Sequence, residues 1–247
     1  MQRARSVEAK QQRERAILDA ARELAEARTV REVTLTDVAA AVGMHKSAML
    51  RYFETREQIF LALTAEAWVE WSAWIRGNLE AGDGRDRGAG QGRDQGAGQG
   101  RDQGAGQGRD QGAGDGRDRG AHAAAVIARS LAARPLFCDL LAHAAMNLER
   151  NVSLETAYAY KTSTLEQVLL VTDHLRGLLD LTVQQTRDLV GTATSMAGAF
   201  WQMSATPGSQ LEQMYTEHPD IAHANVEVEP RLTRILTALI AGMRVNP

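Results

Sequence analysis

The sequence predicts an all-α protein, and three observations carry that prediction. Good helix formers are abundant, whereas Phe, Trp and Tyr, which favour sheets, make up only 5% of the chain. There are five prolines, none before Pro135, so no proline breaks a helix in the first half. Apolar residues recur at helical rather than alternating spacing, as in Ile17, Leu18, Ala21, Leu24 and Ala25. No pair of segments reads as paired strands.

The elements follow in order. A basic arm over residues 1–12 leads into a helix over 7–28. Thr34 with Asp37 three residues later is a near-capping box that opens a short helix to Val42, and Gly43 ends it where a positive φ is wanted. A third helix spans His45 to Phe53. Thr55-Arg56-Glu57-Gln58 is a full capping box and opens a long helix to about Leu79. Further helices are predicted near 121–133, 136–150 (Pro135 at its start), 153–179, 183–204 and 230–243. Pro207, Pro219 and Pro230 punctuate the last third.

Between these blocks lies a break in composition over 82–120 that holds 15 of the 22 glycines. Gly-Arg-Asp recurs every eight residues from Gly84. The unit Gly-Arg-Asp-Gln-Gly-Ala-Gly-Gln has no large apolar residue, so stacked repeats would have no core to bury. Its Arg and Asp roughly cancel. A neutral, disordered insertion is expected there, with a folded or binding repeat as the alternative.

The bulk numbers bound the partners. Net charge is −3, but residues 1–60 carry 11 Lys/Arg against 9 Asp/Glu while the remainder is acidic. The arm residues Arg3, Arg5, Lys10 and Arg13 form either a solvated arm or a set of minor-groove or phosphate contacts. One cysteine, Cys138, leaves no intramolecular disulfide and fits a reducing compartment. No stretch reaches the roughly 20 apolar residues that span a bilayer, and no secretory h-region follows Met1. A cytoplasmic protein with no membrane partner is expected.

The chemistry concentrates in 34–53, two short helices about a glycine turn. Val38, Ala39, Val42, Met49 and Phe53 can fill one small core with the first helix. That leaves His45, Lys46, Ser47, Leu50 and Arg51 outward on the third helix, a set suited to the major groove. The run from Arg13 to Leu63 resembles the DNA-binding domain of the tetracycline-repressor (TetR) family of bacterial regulators. The resemblance rests on Ile17-Leu18-Asp19-Ala20-Ala21, Thr34-Leu35-Thr36-Asp37-Val38-Ala39, Gly43-Met44-His45-Lys46-Ser47, Tyr52-Phe53 and Thr55-Arg56-Glu57. It implies an N-terminal helix-turn-helix domain over 13–63 and a C-terminal ligand-binding and dimerisation domain over 64–247. It also implies that Lys46, Ser47, Leu50, Arg51 and Tyr52 lie on the recognition helix. Thr34 and Thr36 would open the helix before it, and Arg56 the one after, near phosphate. Two positions depart from the family pattern: His45 replaces a capping serine, and Leu50 replaces a tyrosine able to reach phosphate.

In the C-terminal block, Trp68, Trp71 and Trp74 recur every three residues. They read either as core or as one wall of an apolar ligand cavity, with Phe137, Met146, Phe200 and Trp201 as further wall candidates. Cys138 and His143 sit five apart and point about 140° away from each other on a helix, which argues against a nucleophile and base. His218 and His223 match no metal spacing, and no cofactor is expected. By the resemblance, the helices over 183–204 and 230–243 pair across a homodimer. Their apolar stripes would be Leu189, Val190, Ala193, Met196, Ala197, Leu232, Ile235, Leu236 and Leu239. The expectation is a dimeric repressor on a palindromic double-stranded operator, released by a small, largely hydrophobic ligand of unknown identity. The alternatives are a regulator without a small-molecule inducer, controlled by a partner or acting as an activator, and an enzyme or carrier on the same fold.

Overall fold

Where the apolar faces pack decides the architecture. In the computed structural model, residues 2–83, 108–206 and 208–245 are described, and among them every regular element is helical. The order is α1 (Gln2–Ala27), α2 (Leu35–Ala41), α3 (Lys46–Met49), α4 (Arg56–Asp83), α5 (Gly108–Ala132), α6 (Pro135–Ala144), α7 (Leu154–Leu179), α8 (Val183–Met203), α9 (Gln210–Glu217) and α10 (Val228–Val245). No helix among the described residues is long and apolar enough to cross a membrane.

Several boundaries differ from the sequence expectation. The basic arm is helical, because α1 starts at Gln2. No glycine or proline interrupts it, and Lys10 and Glu14 pair across one turn at 3.5 Å. The third helix shrinks to four residues, with Leu50 at its C-cap. Helix α6 stops at Ala144 and gives way to a 3-10 turn over Leu148–Asn151. Helix α9 was not expected. Its signal was Ser209 with Glu212 three residues on, and the Ser209 side chain accepts from Glu212 N. The glycine-rich insertion is narrower than 82–120, since α4 runs through Asp83 and α5 starts at Gly108. The packed half of α5 buries Ala123, Ala124, Ile127 and Leu131. A helix so seated extends with one new hydrogen bond per residue and no new nucleus. The expectation of disorder for 84–107 lies outside the described residues.

Two apolar clusters form. The first joins Ile17, Val38, Met49, Phe53 and Phe60, and is completed by Leu140, Ala144, Leu148 and Tyr160 from beyond the helix-turn-helix block. The second fills the space among α4, α5, α6, α7, α8 and α10, around Trp71, Leu131, Leu175, Leu189 and Leu236. Continuous packing therefore crosses the boundary expected at residue 63. The stripes expected to pair across a dimer are mostly used within the chain. Leu189, Val190, Ala193, Ala197, Leu232 and Leu236 are buried against the protomer's own helices, and Met196, Ile235 and Leu239 are half-buried. The reason is that α10 lies against α5 and α8. The outward faces carry smaller and polar groups instead: Arg187, Gly191 and Ser195 on α8, Arg234, Ala238 and Ala241 on α10.

Helices α6 and α8 approach closely at one point. A Cβ added at Gly198 would sit 2.9 Å from Ala142 N and 3.2 Å from Cys138 O, both backbone atoms that cannot rotate away. Gly198→Ala should therefore lower the urea unfolding free energy by about 1–3 kcal/mol, as overpacked cores do. An unchanged midpoint would mean that the two helices separate freely.

Candidate nucleic-acid interface

The helix-turn-helix is held by local hydrogen bonds that leave its outer face free. Thr34 caps α2: its Oγ1 accepts from Asp37 N at 3.2 Å, and Asp37 Oδ2 accepts from Thr34 N at 2.8 Å. Those Thr34 bonds hold the Asp37 carboxyl below its ordinary range. Gly43 makes the turn at φ +64. His45 caps α3, its Nδ1 accepting from Ser47 N at a long 3.4 Å. The imidazole is thus a weak substitute for a serine cap.

On this frame Thr34, Thr36, His45, Lys46, Ser47, Leu50 and Arg51 are exposed together. Among the described residues, neither Lys46 nor Arg51 forms a salt bridge, so both cations remain available to an anionic partner. Leu50 is 53% exposed, an apolar group suited to a thymine methyl. Tyr52 is only half-buried and leans on the first apolar cluster. Arg56 departs from the expected phosphate contact. Its Nε and Nη2 donate to the carbonyls of Val33 and Val30, and its guanidinium lies 4.7 Å from the centre of the Phe60 ring. It braces the α1–α2 loop from within, because two loop carbonyls with no helical partner point at the first turn of α4.

The comparisons with known proteins agree with this geometry. Residues 17–63 match the family described as bacterial regulatory proteins, tetR family. Residues 105–247 match the tetracyclin repressor-like C-terminal domain, and this second match covers more than half of the chain. The chain belongs to the TetR family. It is a DNA-binding transcriptional regulator with a helix-turn-helix domain and a helical C-terminal domain. Among solved structures, it is similar to the fatty acid degradation regulator FadR from Bacillus halodurans at 12% identity and TM-score 0.49, covering 92% of this chain and 97% of that one. It is also similar to a protein from Mesorhizobium loti described as a TetR-family transcriptional regulator, at 12% identity and TM-score 0.48, covering 96% of each chain. At these scores the two likenesses carry no functional argument. No curated protein matches the chain.

The expected ligand-wall residues of this TetR-family protein separate. Trp68 and Trp71 are buried and meet edge to face at 5.5 Å, and Trp71 Nε1 donates to Ser130 Oγ at 2.9 Å. Both read as core, as does buried Phe200. Trp74 is 36% exposed, because each step of three residues falls about 60° short of a full turn and the stripe rotates outward. Met146 is 76% exposed, beyond the end of α6. Phe137 and Trp201 line a cleft of about 610 Å³ between the C-terminal end of α1, α4, α6 and the end of α8. Cys138 is buried, its Sγ donates to Leu131 O, and burial with the Asp139 charge pushes its thiol up to about 12. His223 Nδ1 lies 3.0 Å from Asp220 O.

Sequence reasoning missed the residues that join the two domains. Asp139, on α6 and buried, accepts from Val30 N at 2.7 Å and from Gln202 Nε2 at 2.7 Å. His143 Nδ1 stands 3.3 Å from Asp139 Oδ1. On the opposite side, Ser153 N donates to Glu54 Oε1 at 2.8 Å, tying the N-terminus of α7 to the loop before α4. Apart from His143, one turn along α6 from Asp139, the partners are far apart in sequence, so no motif marks these contacts.

Charge makes the Asp139 junction sensitive to pH. Burial alone would raise the Asp139 carboxyl, but hydrogen bonds from His143, Val30 and Gln202 outweigh it, and its pKa is lowered. The His143 pKa is raised, chiefly by its hydrogen bond to Asp139, against opposition from burial. The contribution of His143 is thus complete below about pH 6.5 and is lost as pH rises through its raised folded value. That of Asp139 is complete above about pH 4 and is lost as pH falls through its lowered value. The stability gap between wild type and His143→Gln should accordingly narrow as pH rises from about 6.5 into the alkaline range in urea titrations. A gap that stays constant over that range would show that the imidazole charge has no part in the junction.

Proposed function

We propose that this TetR-family regulator is a repressor that binds a palindromic operator as a homodimer and leaves it when a small, largely hydrophobic ligand binds. The observation that carries the reading is the cleft between the domains. It is lined from one side by Ala25 near the end of α1 with Arg28 and Thr29 just beyond it, and from the other by Phe137, Asp139 and Trp201. Asp139 in its wall also holds Val30 N. A ligand in such a place touches both domains, so its affinity can differ between two placements of the DNA-binding block, and only that difference shifts the equilibrium. The cleft volume is within the range of ordinary ligand sites. Base contacts fall to Lys46, Ser47, Leu50 and Arg51, with Thr34, Thr36, His45 and Tyr52 beside them. The outer faces of α8 and α10 form the dimer interface, which sets the separation of two recognition helices.

The test is selection of genomic fragments by the purified protein, followed by titration of the best duplex at several salt concentrations. One dimer should bind per palindrome. Log affinity should fall with log salt at a slope near −0.9 per phosphate neutralised. Equal affinity for every fragment at low salt would refute sequence-specific repression.

A further inference from the structure

We propose that the cleft between the domains takes an amphipathic organic anion, its carboxylate on Arg134 and its apolar body against Phe137 and Trp201. This rests on the ligand-released reading above and specifies the site and chemical class of that ligand.

The ionisable groups that line the cleft are Arg22, Glu26, Arg28, Glu70, Arg134 and Asp139. Arg22 is committed to Glu66 at 2.8 Å, with Glu70 at 3.8 Å. Arg28 faces Asp37 at 3.8 Å. Asp139 is buried and already accepts from Val30 N and Gln202 beside His143. Glu26 and Glu70 are exposed, where water solvates them. Arg134 differs from all of these. It is half-buried, and among the described residues no carboxylate comes within salt-bridge distance of it. Burial lowers its pKa from the ordinary arginine value, and the charge of Glu70 only partly offsets this. Its guanidinium donates to Ser130 O at 2.7 Å and stacks 4.9 Å from the Trp74 ring, which fixes its orientation. A guanidinium has five N–H donors in a planar fork, so most of its capacity is unspent. A partly desolvated cation with no carboxylate beside it is unfavourable, and a ligand carboxylate relieves it with charge-assisted hydrogen bonds. A cationic ligand would add repulsion at the same place.

The apolar half of the cleft fits the rest of such a molecule. Phe137, Trp201, Leu63, Ala67, Leu136 and Leu140 line it. Occupancy bears on the DNA-binding domain because the end of α1 and the Asp139 contact to Val30 lie in the same walls.

The experiment titrates the full-length protein with phenylbutyrate and naphthaleneacetate, each beside the corresponding primary alcohol, by calorimetry and tryptophan fluorescence. The acids should bind and quench, with the alcohols weaker by about tenfold or more, as loss of a charge-assisted contact implies. Arg134→Gln should erase that preference at an unchanged melting temperature, and Arg134→Lys should retain part of it. Equal affinity for acid and alcohol, acid binding untouched in Arg134→Gln, or no binding by either series overturns the assignment. Parallel measurements on the selected operator duplex separate the two levels. Arg134-dependent binding that leaves DNA affinity unchanged refutes release but supports the site. Release by a neutral compound, undiminished in Arg134→Gln, refutes the site but supports release.

Discussion

Trp71→Ala is expected to destabilise the protein by about 3–5 kcal/mol. The indole is 1% exposed and sits in the middle of the larger apolar cluster. It meets Trp68 at 5.5 Å and Phe137 at 6.1 Å between ring centres. Truncation removes the transfer free energy of the whole ring and leaves a void that packed helices cannot close. The polar part of the loss is small, because Ser130 Oγ still donates to Ile127 O at 2.7 Å when the indole N–H is gone. Chemical unfolding followed by far-ultraviolet circular dichroism measures the effect. Trp74→Ala is the control: that ring is 36% exposed, so its loss should amount to about 1 kcal/mol or less. A Trp71 variant as stable as the Trp74 variant would place Trp71 in the wall of a collapsible cavity.

The second large effect separates two arginines that sequence reasoning groups together. Arg56→Ala should cost about 2–4 kcal/mol of stability, since hydrogen bonds to a charged group contribute about 1.5–3 each and the carbonyls of Val30 and Val33 lose their donor. Operator affinity should then weaken for every sequence, through a loosened α1–α2 loop. Arg51→Ala should leave stability within about 0.5 kcal/mol, because the side chain is exposed and makes no ion pair among the described residues. Its effect should appear as lost discrimination of about 1–3 kcal/mol at one or two base positions. Melting curves and binding to matched and mismatched duplexes, run on both variants, decide the matter. If Arg56→Ala melts like wild type and only reduces the salt slope by about one unit, Arg56 is a phosphate contact after all.

The residues that could be read in advance act through their chain neighbours. Thr34 and Asp37 cap each other across three positions, Gly43 meets its own backbone requirement, and His45 caps the residue two ahead of it. Such contacts are within one turn, so spacing alone reveals them. The all-α class, the helix-turn-helix and the outward face carrying Lys46, Ser47, Leu50 and Arg51 were legible for that reason. The helical stripes of the C-terminal block were legible too, but not their destinations. A stripe such as Leu189, Ala193 and Ala197 states only that one face will be buried. Whether it meets the same chain or a second copy depends on where α10 and α5 lie, and here they are against it.

Three assignments were decided by tertiary structure alone. Arg56 turns inward because loop carbonyls 23 and 26 residues earlier in the chain stand over it. Asp139 becomes a junction because Val30, 109 residues away, and Gln202, 63 residues away, converge on its carboxylate. Trp71 is core and Trp201 lines the cleft, although both are tryptophans on apolar helix faces. By itself the sequence determined which positions share a face of each helix and where the α2 cap and the Gly43 turn fall, because those follow from backbone geometry and near neighbours. Only the tertiary structure decided which cation found a carboxylate, as Arg22 did in Glu66, and which, like half-buried Arg134, found none among the described residues, because such partners are set by the packing of helices far apart in the chain.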